Sequence, residues 1–233
     1  MMRTGLIFST IAVIGMCAVN LWAMPQIPDA QVPVHWGLDG TPDRYGDRSE
    51  ALFALWMIPA ATVFVSLLLA IAPRLDPNGD NLMKSRKAYV AIWCSVMIML
   101  LAVHAGIAML MVRSVVADPD ANEFVRFVIA ASAVLIIIKG NYLPKTRSNW
   151  FLGIRTPWTL SSDITWEKTH RLAGRLFMLS GFVCLVGAFA LEGGWLIVMF
   201  MSTLLPTVLI SVAYSYIIWR NAPDKRIGTE YIV

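Results

Sequence analysis

Six long runs of apolar residues divide the sequence, and each run is bounded by charged residues or by proline and glycine. A helix of about 20 apolar residues is long enough to cross the ~30 Å hydrocarbon core of a bilayer. The pattern therefore predicts six transmembrane helices, over residues 5–24, 51–72, 89–112, 124–143, 172–191 and 195–219. The fourth run is the weakest, because Arg126 and Lys139 interrupt it near its ends, where long side chains reach the membrane interface.

The composition indicates that lipid, not water, covers much of this protein. Of the 233 residues, 58% are hydrophobic and 15% are charged, whereas soluble domains carry about 25% charged residues. The mean hydropathy is +0.65. So few charged side chains cannot cover the surface of a soluble domain of this size. The sequence therefore predicts an all-α integral membrane protein, built as a single six-helix bundle.

The basic residues indicate how the predicted helices are oriented. Short cytoplasmic loops of membrane proteins are enriched in lysine and arginine. With the N-terminus in the cytoplasm, 15 of the 19 basic residues fall on the cytoplasmic side. If the fourth run did not cross the membrane, the most basic loop would move outside. We therefore predict six spans, with both termini in the cytoplasm.

Two long loops divide the chain into two predicted regions. Residues 1–75 form a two-helix region with an outer loop at 25–50, and residues 76–233 form a four-helix region with an inner loop at 139–171. No repeat of 20–50 residues and no low-complexity segment accompanies them. Both regions are therefore predicted to belong to one bundle.

The outer loop contains signals of local structure. Val32, Val34 and Trp36 alternate with other residues, which predicts a short extended segment or a hairpin near the membrane surface. Asp47, followed three residues later by Glu50, resembles a capping box and predicts the start of the second helix.

Sequence motifs of the common catalytic classes are absent. The chain contains no H-E-x-x-H, G-x-S-x-G, P-loop or G-x-G-x-x-G pattern. Cys17, Cys94 and Cys184 lie in separate apolar runs, which favours helix packing over a disulfide or a metal cluster. The net charge of +4 accompanies no basic run or zinc spacing, so direct nucleic-acid binding is not predicted. We predict no catalytic residue, no bound metal and no cofactor.

The three histidines are predicted to lie apart. His35 is outside, His104 is within the third helix and His170 is inside, so they cannot share one zinc site. His35 with Asp39 and Asp43 forms a loose metal-ligand pattern, but loop aspartates more often serve turns and caps. For His104 we favour hydrogen-bonded helix packing over a proton relay, because no second ionisable group accompanies it in its helix.

The inner loop is the most distinctive part of the sequence. It contains G-N-Y-L-P at 140–144, G-I-R-T-P-W-T-L at 153–160 and W-E-K-T-H-R at 166–171. Anchoring at the cytoplasmic side explains the charges but not the many directional hydrogen-bonding groups. Such a segment suits either a folded re-entrant element or a docking face for a soluble partner, and both stay open. The candidate residues are Gly140, Asn141, Pro144, Asn149, Gly153, Arg155, Thr156, Pro157, Trp158, Trp166, Thr169, His170 and Arg171.

These motifs resemble those of the SdpI-type immunity protein family of bacterial polytopic membrane proteins. The shared pattern is G-N-x-x-P-K, then N-x-x-x-G-I-R-T-P-W-T-L, then W-x-x-T-H-R. The outer loop is similar to a small domain of unknown function that often precedes this family. The outer-loop candidates for ligand binding are Pro33, His35, Trp36, Gly40 and Asp43.

The resemblance implies a function in immunity, at the bacterial cytoplasmic (inner) membrane. The family's studied member protects a bacterium from its own secreted killing peptide, and it also acts as a receptor that holds a small winged-helix repressor at the membrane. The implied partners are the lipid bilayer, an extracellular peptide toxin and such a repressor at the inner face. The implied protein is not an enzyme. Two alternatives stay open: a small-molecule or lipid transporter, and a metal-dependent membrane enzyme that uses His35.

Overall fold

Helices and one small hairpin make up the part of the chain that the structure describes. This computed structural model describes residues 2–37, 41–113 and 122–226. The elements in chain order are α1 (Met2–Ala23), β1 (Val32–Trp36), β2 (Pro42–Gly46), α2 (Arg48–Leu75), α3 (Gly79–Lys84), α4 (Arg86–Arg113), α5 (Asn122–Tyr142), α6 (Pro157–Leu160), α7 (Asp163–Ala190) and α8 (Gly194–Arg220). Short 3₁₀ turns follow α1 at Met24–Gln26 and α5 at Leu143–Lys145.

Five of these helices are long and apolar enough to cross a membrane: α1 with the turn that follows it, α2, α4, α7 and α8. They contain five of the six predicted runs, so the prediction of an all-α membrane protein is confirmed. The remaining run forms α5, a continuous helix of 21 residues. The helix α5 is not among the five, and its 21 residues carry three charged side chains, Glu123, Arg126 and Lys139.

The helix α5 lies antiparallel to α7 along its whole length. At one end, a Cβ atom on Gly174 would lie 2.7 Å from the carbonyl oxygen of Gly140. In the middle, a Cβ atom on Gly181 would lie 2.8 Å from the carbonyl oxygen of Ala133. At the other end, Arg126 donates a hydrogen bond of 3.2 Å to Glu192, just beyond α7. Small residues therefore allow the two backbones to come into contact.

The helices α1, α2 and α4 pack together around buried polar contacts. Asn20 of α1 donates to the backbone carbonyl of Leu55 on α2 at 3.2 Å, and its side-chain oxygen lies 2.9 Å from Nε2 of His104 on α4. Both side chains are fully buried. The predicted packing role of His104 is confirmed by this geometry. The indole of Trp93 on α4 adds a hydrogen bond of 2.9 Å to Ser9 on α1.

The predicted hairpin in the outer loop is confirmed. Strands β1 and β2 pair antiparallel, with Val32 opposite Gly46. Buried Val32 packs with Leu55 of α2 and Met111 of α4, so the hairpin covers the ends of these helices. The Asp47 side chain accepts a hydrogen bond of 2.9 Å from the backbone N–H of Glu50, which is the predicted cap of α2.

The described segments meet at two ends of the bundle. We call the end that carries β1 and β2 the hairpin face. The opposite end, the motif face, contains the start of α1, the helix α3, the end of α8 and the segment between α5 and α7, residues 143–162, which we call the motif loop. Asn81 of α3 donates to the carbonyl of Ser148 at 3.1 Å, and the N–H of Arg147 donates to Ser85 at 2.9 Å.

The predicted boundary between residues 75 and 76 stays a prediction. Across it, Asp76 accepts a hydrogen bond of 3.0 Å from the backbone N–H of Trp150 in the motif loop. The helix α4, from the second predicted region, packs against α1 and α2 of the first. Contacts therefore connect the two predicted regions at the motif face and within the bundle.

The contact between α5 and α7 generates a stability prediction. In Gly174→Ala, the new Cβ would lie 2.7 Å from backbone and proline atoms that cannot rotate away. We expect destabilisation by about 1–3 kcal/mol, the usual cost of overpacking. A lower midpoint of thermal unfolding in detergent measures this. The control is Gly194→Ala, where nothing lies within 4 Å of the added atom; equal midpoints for both variants would contradict the prediction.

Candidate functional site

The motif loop is a folded element held by side chains of its own. Asn149 is completely buried. Its Oδ1 accepts hydrogen bonds from the backbone N–H groups of Phe151 and Leu152, at 2.9 and 2.7 Å, and its Nδ2 donates to the carbonyl of Arg147 at 2.6 Å. One amide side chain therefore fixes the turn over residues 147–152. Buried backbone groups need such partners, because an unpaired one costs about 1–3 kcal/mol.

Two aromatic rings on the first turns of α7 form hydrogen bonds with the backbone of the motif loop. The indole N–H of Trp166 donates to the carbonyl of Thr146 at 3.1 Å. Nε2 of His170 accepts from the backbone N–H of Ile154 at 2.9 Å, and its Nδ1 lies 2.8 Å from the carbonyl of Trp166. Because Nε2 is an acceptor, the ring proton lies on Nδ1, which donates to that carbonyl. Both ring nitrogens of His170 are therefore used in structural hydrogen bonds.

The contact between the loop backbone and the His170 ring requires a glycine at position 153. Gly153 has φ of 110°, in the region that side chains rarely adopt. A Cβ atom there would also collide with Nε2 of His170. The loop backbone can cross the imidazole ring only because this residue has no side chain.

The T-P-W-T run forms the short helix α6 with a cap at its start. The Thr156 hydroxyl accepts from the N–H of Thr159 at 3.2 Å, and the Thr159 hydroxyl accepts from the N–H of Thr156 at 3.0 Å, which is a capping box. Pro157 occupies the first helical position, where no N–H is needed. The Thr156 hydroxyl also lies 3.1 Å from that of Ser215 on α8, and Trp158 packs on the same helix. The run therefore connects the loop to α8.

A carboxylate in the segment after α8 accepts hydrogen bonds at the N-terminal end of α7. Asp224 accepts hydrogen bonds from the hydroxyl of Ser162 at 2.6 Å and from the N–H of Ile164 at 3.0 Å. Burial raises the pKa of this carboxyl, but these hydrogen bonds outweigh it and hold the pKa below its usual range. The group is therefore ionised at neutral pH, beside the positive end of the α7 dipole. Sequence reasoning missed Asp224, because its partners are about 60 residues away and no local motif contains it.

The structure separates the predicted motif residues into a buried set and an exposed set. The buried residues are Gly140, Asn149, Thr156, Trp166, Thr169 and His170, with Gly153 and Trp158 partly buried. The exposed residues are Asn141, Pro144, Arg155, Pro157 and Arg171. The loop is therefore a folded element, and its docking role stays a prediction.

The exposed part of the loop combines aromatic and cationic side chains. Trp150 is 47% exposed and Phe151 is 36% exposed, although both are large and apolar. The guanidinium of Arg155 donates to the carbonyl of Trp150 at 2.5 Å, so Arg155 supports the position of that turn. We call the surface formed by Trp150, Phe151, Arg147 and Arg155 the loop rim. Beside it, a cleft of about 380 Å³ lies between Asn81 and the start of α7.

Exposed Arg171 and Asn141 make local contacts on the motif face. Arg171 pairs with Glu167 at 2.5 Å, four residues earlier, as the sequence spacing permits. The side-chain oxygen of Asn141 accepts a hydrogen bond of 3.1 Å from Lys145. Neither residue touches the loop rim through these bonds.

Only some of the predicted ligand-binding residues of the outer loop lie close together on the hairpin face. Pro33 is buried opposite Tyr45, Trp36 is partly buried, and Gly40 lies outside the described residues. Nδ1 of His35 lies 2.6 Å from the Asp43 carboxylate, and both are exposed. Asp39 also lies outside the described residues. Within the described ranges, no three His, Cys, Asp or Glu side chains are grouped closely enough to hold a metal.

Two of the four described carboxylates near the hairpin pair with arginines. Glu50 pairs with Arg44 at 3.0 Å, and Asp29 pairs with Arg48 at 3.3 Å. The hydroxyl of Ser49 and the N–H of Glu50 lower the pKa of Asp47 below its usual range. The negative charge of this face is therefore smaller than the count of acidic residues indicates.

The fold and the loop together define a multi-pass membrane protein with a folded segment at one end of its bundle. Residues 145–215 match the SdpI/YfhL protein family, and residues 11–63 match a domain of unknown function, DUF1648. The chain therefore contains a region that matches the SdpI family after a region that matches that domain, and the predicted resemblance is confirmed. The family region contains most of the motif loop, all of α6 and α7, and α8 as far as Ser215.

One curated relative has a described role. The chain is 29% identical to the Immunity protein SdpI of Bacillus subtilis (strain 168) over 93 residues. This similarity covers 40% of the present chain and 44% of the relative, so it spans less than half of the relative's length. No solved structure shows a significant match to this chain.

The hydrogen bonds of Asn149 generate a second prediction. In Asn149→Ala, two N–H groups and one carbonyl lose their partner, so the turn over residues 147–152 should open. We expect trypsin to cleave after Arg147 and Arg155 several-fold faster in the detergent-solubilised protein, because proteolysis follows the population of the open form. The control is Asn141→Ala, whose exposed side chain contacts Lys145 alone among the hydrogen bonds given above. Unchanged cleavage of Asn149→Ala would show that Asn149 does not hold the loop.

Proposed function

We propose that this protein is a membrane immunity or resistance protein, which protects a bacterium against a secreted antimicrobial or killing peptide. The observation that carries this proposal is the similarity to the Immunity protein SdpI together with the family match at residues 145–215. That match coincides with a densely hydrogen-bonded part of the chain, the motif loop and the helices that hold it. The proposed role is one of binding and not of catalysis.

We further propose that α5 is a sixth membrane span. Its support is the antiparallel contact with α7, which extends from Gly140 and Gly174 to Arg126 and Glu192. A helix that lies along the apolar length of a spanning helix passes through the same depth of lipid. Its charged residues lie near its two ends, where their side chains extend to the interface.

The proposed location is the bacterial cytoplasmic membrane, with both termini and the motif face in the cytoplasm. The support for this orientation is the charge distribution along the chain. The contacts of Asn81, Ser85 and Asp76 with the motif loop gather basic segments at one end of the bundle. That arrangement agrees with the enrichment of lysine and arginine on the cytoplasmic side.

In this orientation the hairpin face meets the secreted peptide. The face offers Tyr45, which is 54% exposed, beside the exposed pair of His35 and Asp43. Aromatic side chains at a membrane surface suit an amphipathic peptide that approaches along the bilayer. Because two of the four described carboxylates there pair with arginines, we propose that apolar contact contributes more than attraction between net charges.

The finer proposal is that the loop rim also receives a soluble protein partner, such as a winged-helix repressor. Exposed tryptophan and arginine are enriched among the residues that carry binding energy in protein interfaces. Peptide binding would then favour one of two arrangements of the bundle, and the partner would bind one of them better. In this model the repressor, and not the membrane protein, contacts nucleic acid.

The test of this function is a mixed culture of the native strain with a strain that lacks the gene. Because the native strain makes its own toxin in this proposal, selective death of the deletion strain is expected, with rescue by the wild-type gene. In Arg155→Ala, loss of the exposed hydrogen bond to the Trp150 carbonyl should disturb the Trp150 turn and clearly lower survival relative to the wild-type gene.

The control for this test is Lys168→Ala, which removes the same charge from an exposed position on the first turns of α7. Membrane abundance of each variant is measured by immunoblot. Full protection by Arg155→Ala at equal abundance would reject the role of the loop rim. Stable coexistence of the deletion strain with the native strain, under conditions of expression, would reject self-immunity itself.

A further inference from the structure

An apolar groove opens on the side of the bundle between α4 and α5. Its volume is about 400 Å³, within the range of small-molecule sites. The groove is lined by Ala105, Gly106 and Met109 of α4 and by Phe124 and Phe127 of α5. A side chain at Gly106 would collide with the ring of Phe124, so the glycine allows that ring to form the floor. With α5 as the proposed sixth span, the groove faces the lipid, and the inference below rests on that proposal.

The dimensions of the groove fit a single extended chain. It runs along α4 from Ala102 to Arg113, about 17 Å at the rise of an α-helix, which is roughly half of the ~30 Å hydrocarbon core. The groove therefore spans one leaflet, on the side of the hairpin face. An extended hydrocarbon chain can lie along a groove of this length, which is open on one side.

Two opposite charges lie at the mouth of the groove. Arg113 is the last residue of α4, and Glu123 is in the first turn of α5; both are exposed and both line the groove. Neither takes part in an ion pair among the described residues. On the same face of the bundle, Arg126 and Glu192 do pair, at 3.2 Å. The mouth therefore presents a cation and an anion that do not neutralise each other directly.

We propose that this groove is a binding site for one phospholipid with a phosphoethanolamine headgroup. One acyl chain lies between α4 and α5, the phosphate binds the guanidinium of Arg113, and the primary ammonium binds the carboxylate of Glu123. Arginine is well suited to phosphate, because its planar fork donates two parallel hydrogen bonds. Any lipid can place a chain in an apolar groove, so the charged pair provides the selectivity.

Other common headgroups match this pair less well. A phosphoglycerol headgroup carries no ammonium, so its phosphate is attracted by Arg113 but repelled by Glu123. A phosphocholine headgroup carries a quaternary ammonium, which has no N–H to donate to the carboxylate. The expected order of affinity is therefore phosphatidylethanolamine first, with the other two lipids behind it. This inference does not depend on which face of the membrane the hairpin occupies.

The test is native mass spectrometry of the full chain in detergent, with the three synthetic lipids carrying identical acyl chains. We expect one phosphatidylethanolamine to be retained about tenfold more strongly than either other lipid, a difference of about 1.4 kcal/mol. Glu123→Gln should lower its retention to that of phosphatidylcholine, because the amide gives no charge to the ammonium. Arg113→Gln should weaken the retention of all three lipids.

A pair of apolar variants separates groove binding from general binding at the surface. Ala105→Phe fills the groove and should abolish selective retention. The control, Val13→Phe, fills a smaller groove of about 220 Å³ between α1 and α2 whose lining contains no charged residue, and it should leave selectivity unchanged. If Ala105→Phe does not fold, the two charge variants still test the proposal, because Arg113 and Glu123 are exposed and their replacement should not disturb folding. Equal retention of the three lipids by the wild type, unchanged selectivity in both charge variants, or preferential retention of an apolar peptide would overturn the proposal.

Discussion

The contact between the backbones of α5 and α7 at Gly140 and Gly174 determines where the rest of the motif face lies. A Cβ atom on Gly174 would also approach Pro144 to 2.7 Å, so the same contact seats the beginning of the motif loop on α7. From that position, Trp166 and His170 reach the carbonyl of Thr146 and the N–H of Ile154. Without this close approach, the two rings would have no loop backbone to bind.

The motif loop has to satisfy its own polar groups because it lies against the ends of membrane helices, where water is scarce. The short side chains of Asn149 and Thr159, with the imidazole of His170, supply partners that a regular helix or sheet would otherwise provide. The same arrangement leaves Trp150 and Phe151 outward. A rigid base that presents exposed aromatic and cationic groups is the feature that makes a binding role physically reasonable here.

Local patterns in the sequence were sufficient for the long helices, the hairpin and the cap of α2. Runs of apolar residues, an alternating segment and an aspartate before a helix each act over a few residues. Asp224, Ser215 and Asp76 were missed, because each bonds to the motif loop from 59 to 74 residues away. The ion pairs of Arg44 with Glu50 and of Arg48 with Asp29 were missed because they depend on how the hairpin folds back on the start of α2. The division of the motif residues into a buried base and an exposed rim likewise needed the tertiary fold.

The proposed topology is tested most directly by labelling single cysteines from one side of the membrane. In a chain whose native Cys17, Cys94 and Cys184 are replaced by alanine, one cysteine is introduced at Tyr45 of the hairpin or at Trp150 of the loop rim. A membrane-impermeant maleimide added to intact cells should label Tyr45→Cys. It should label Trp150→Cys only after permeabilisation. Labelling of both from outside would show that α5 does not cross the membrane and would contradict the account.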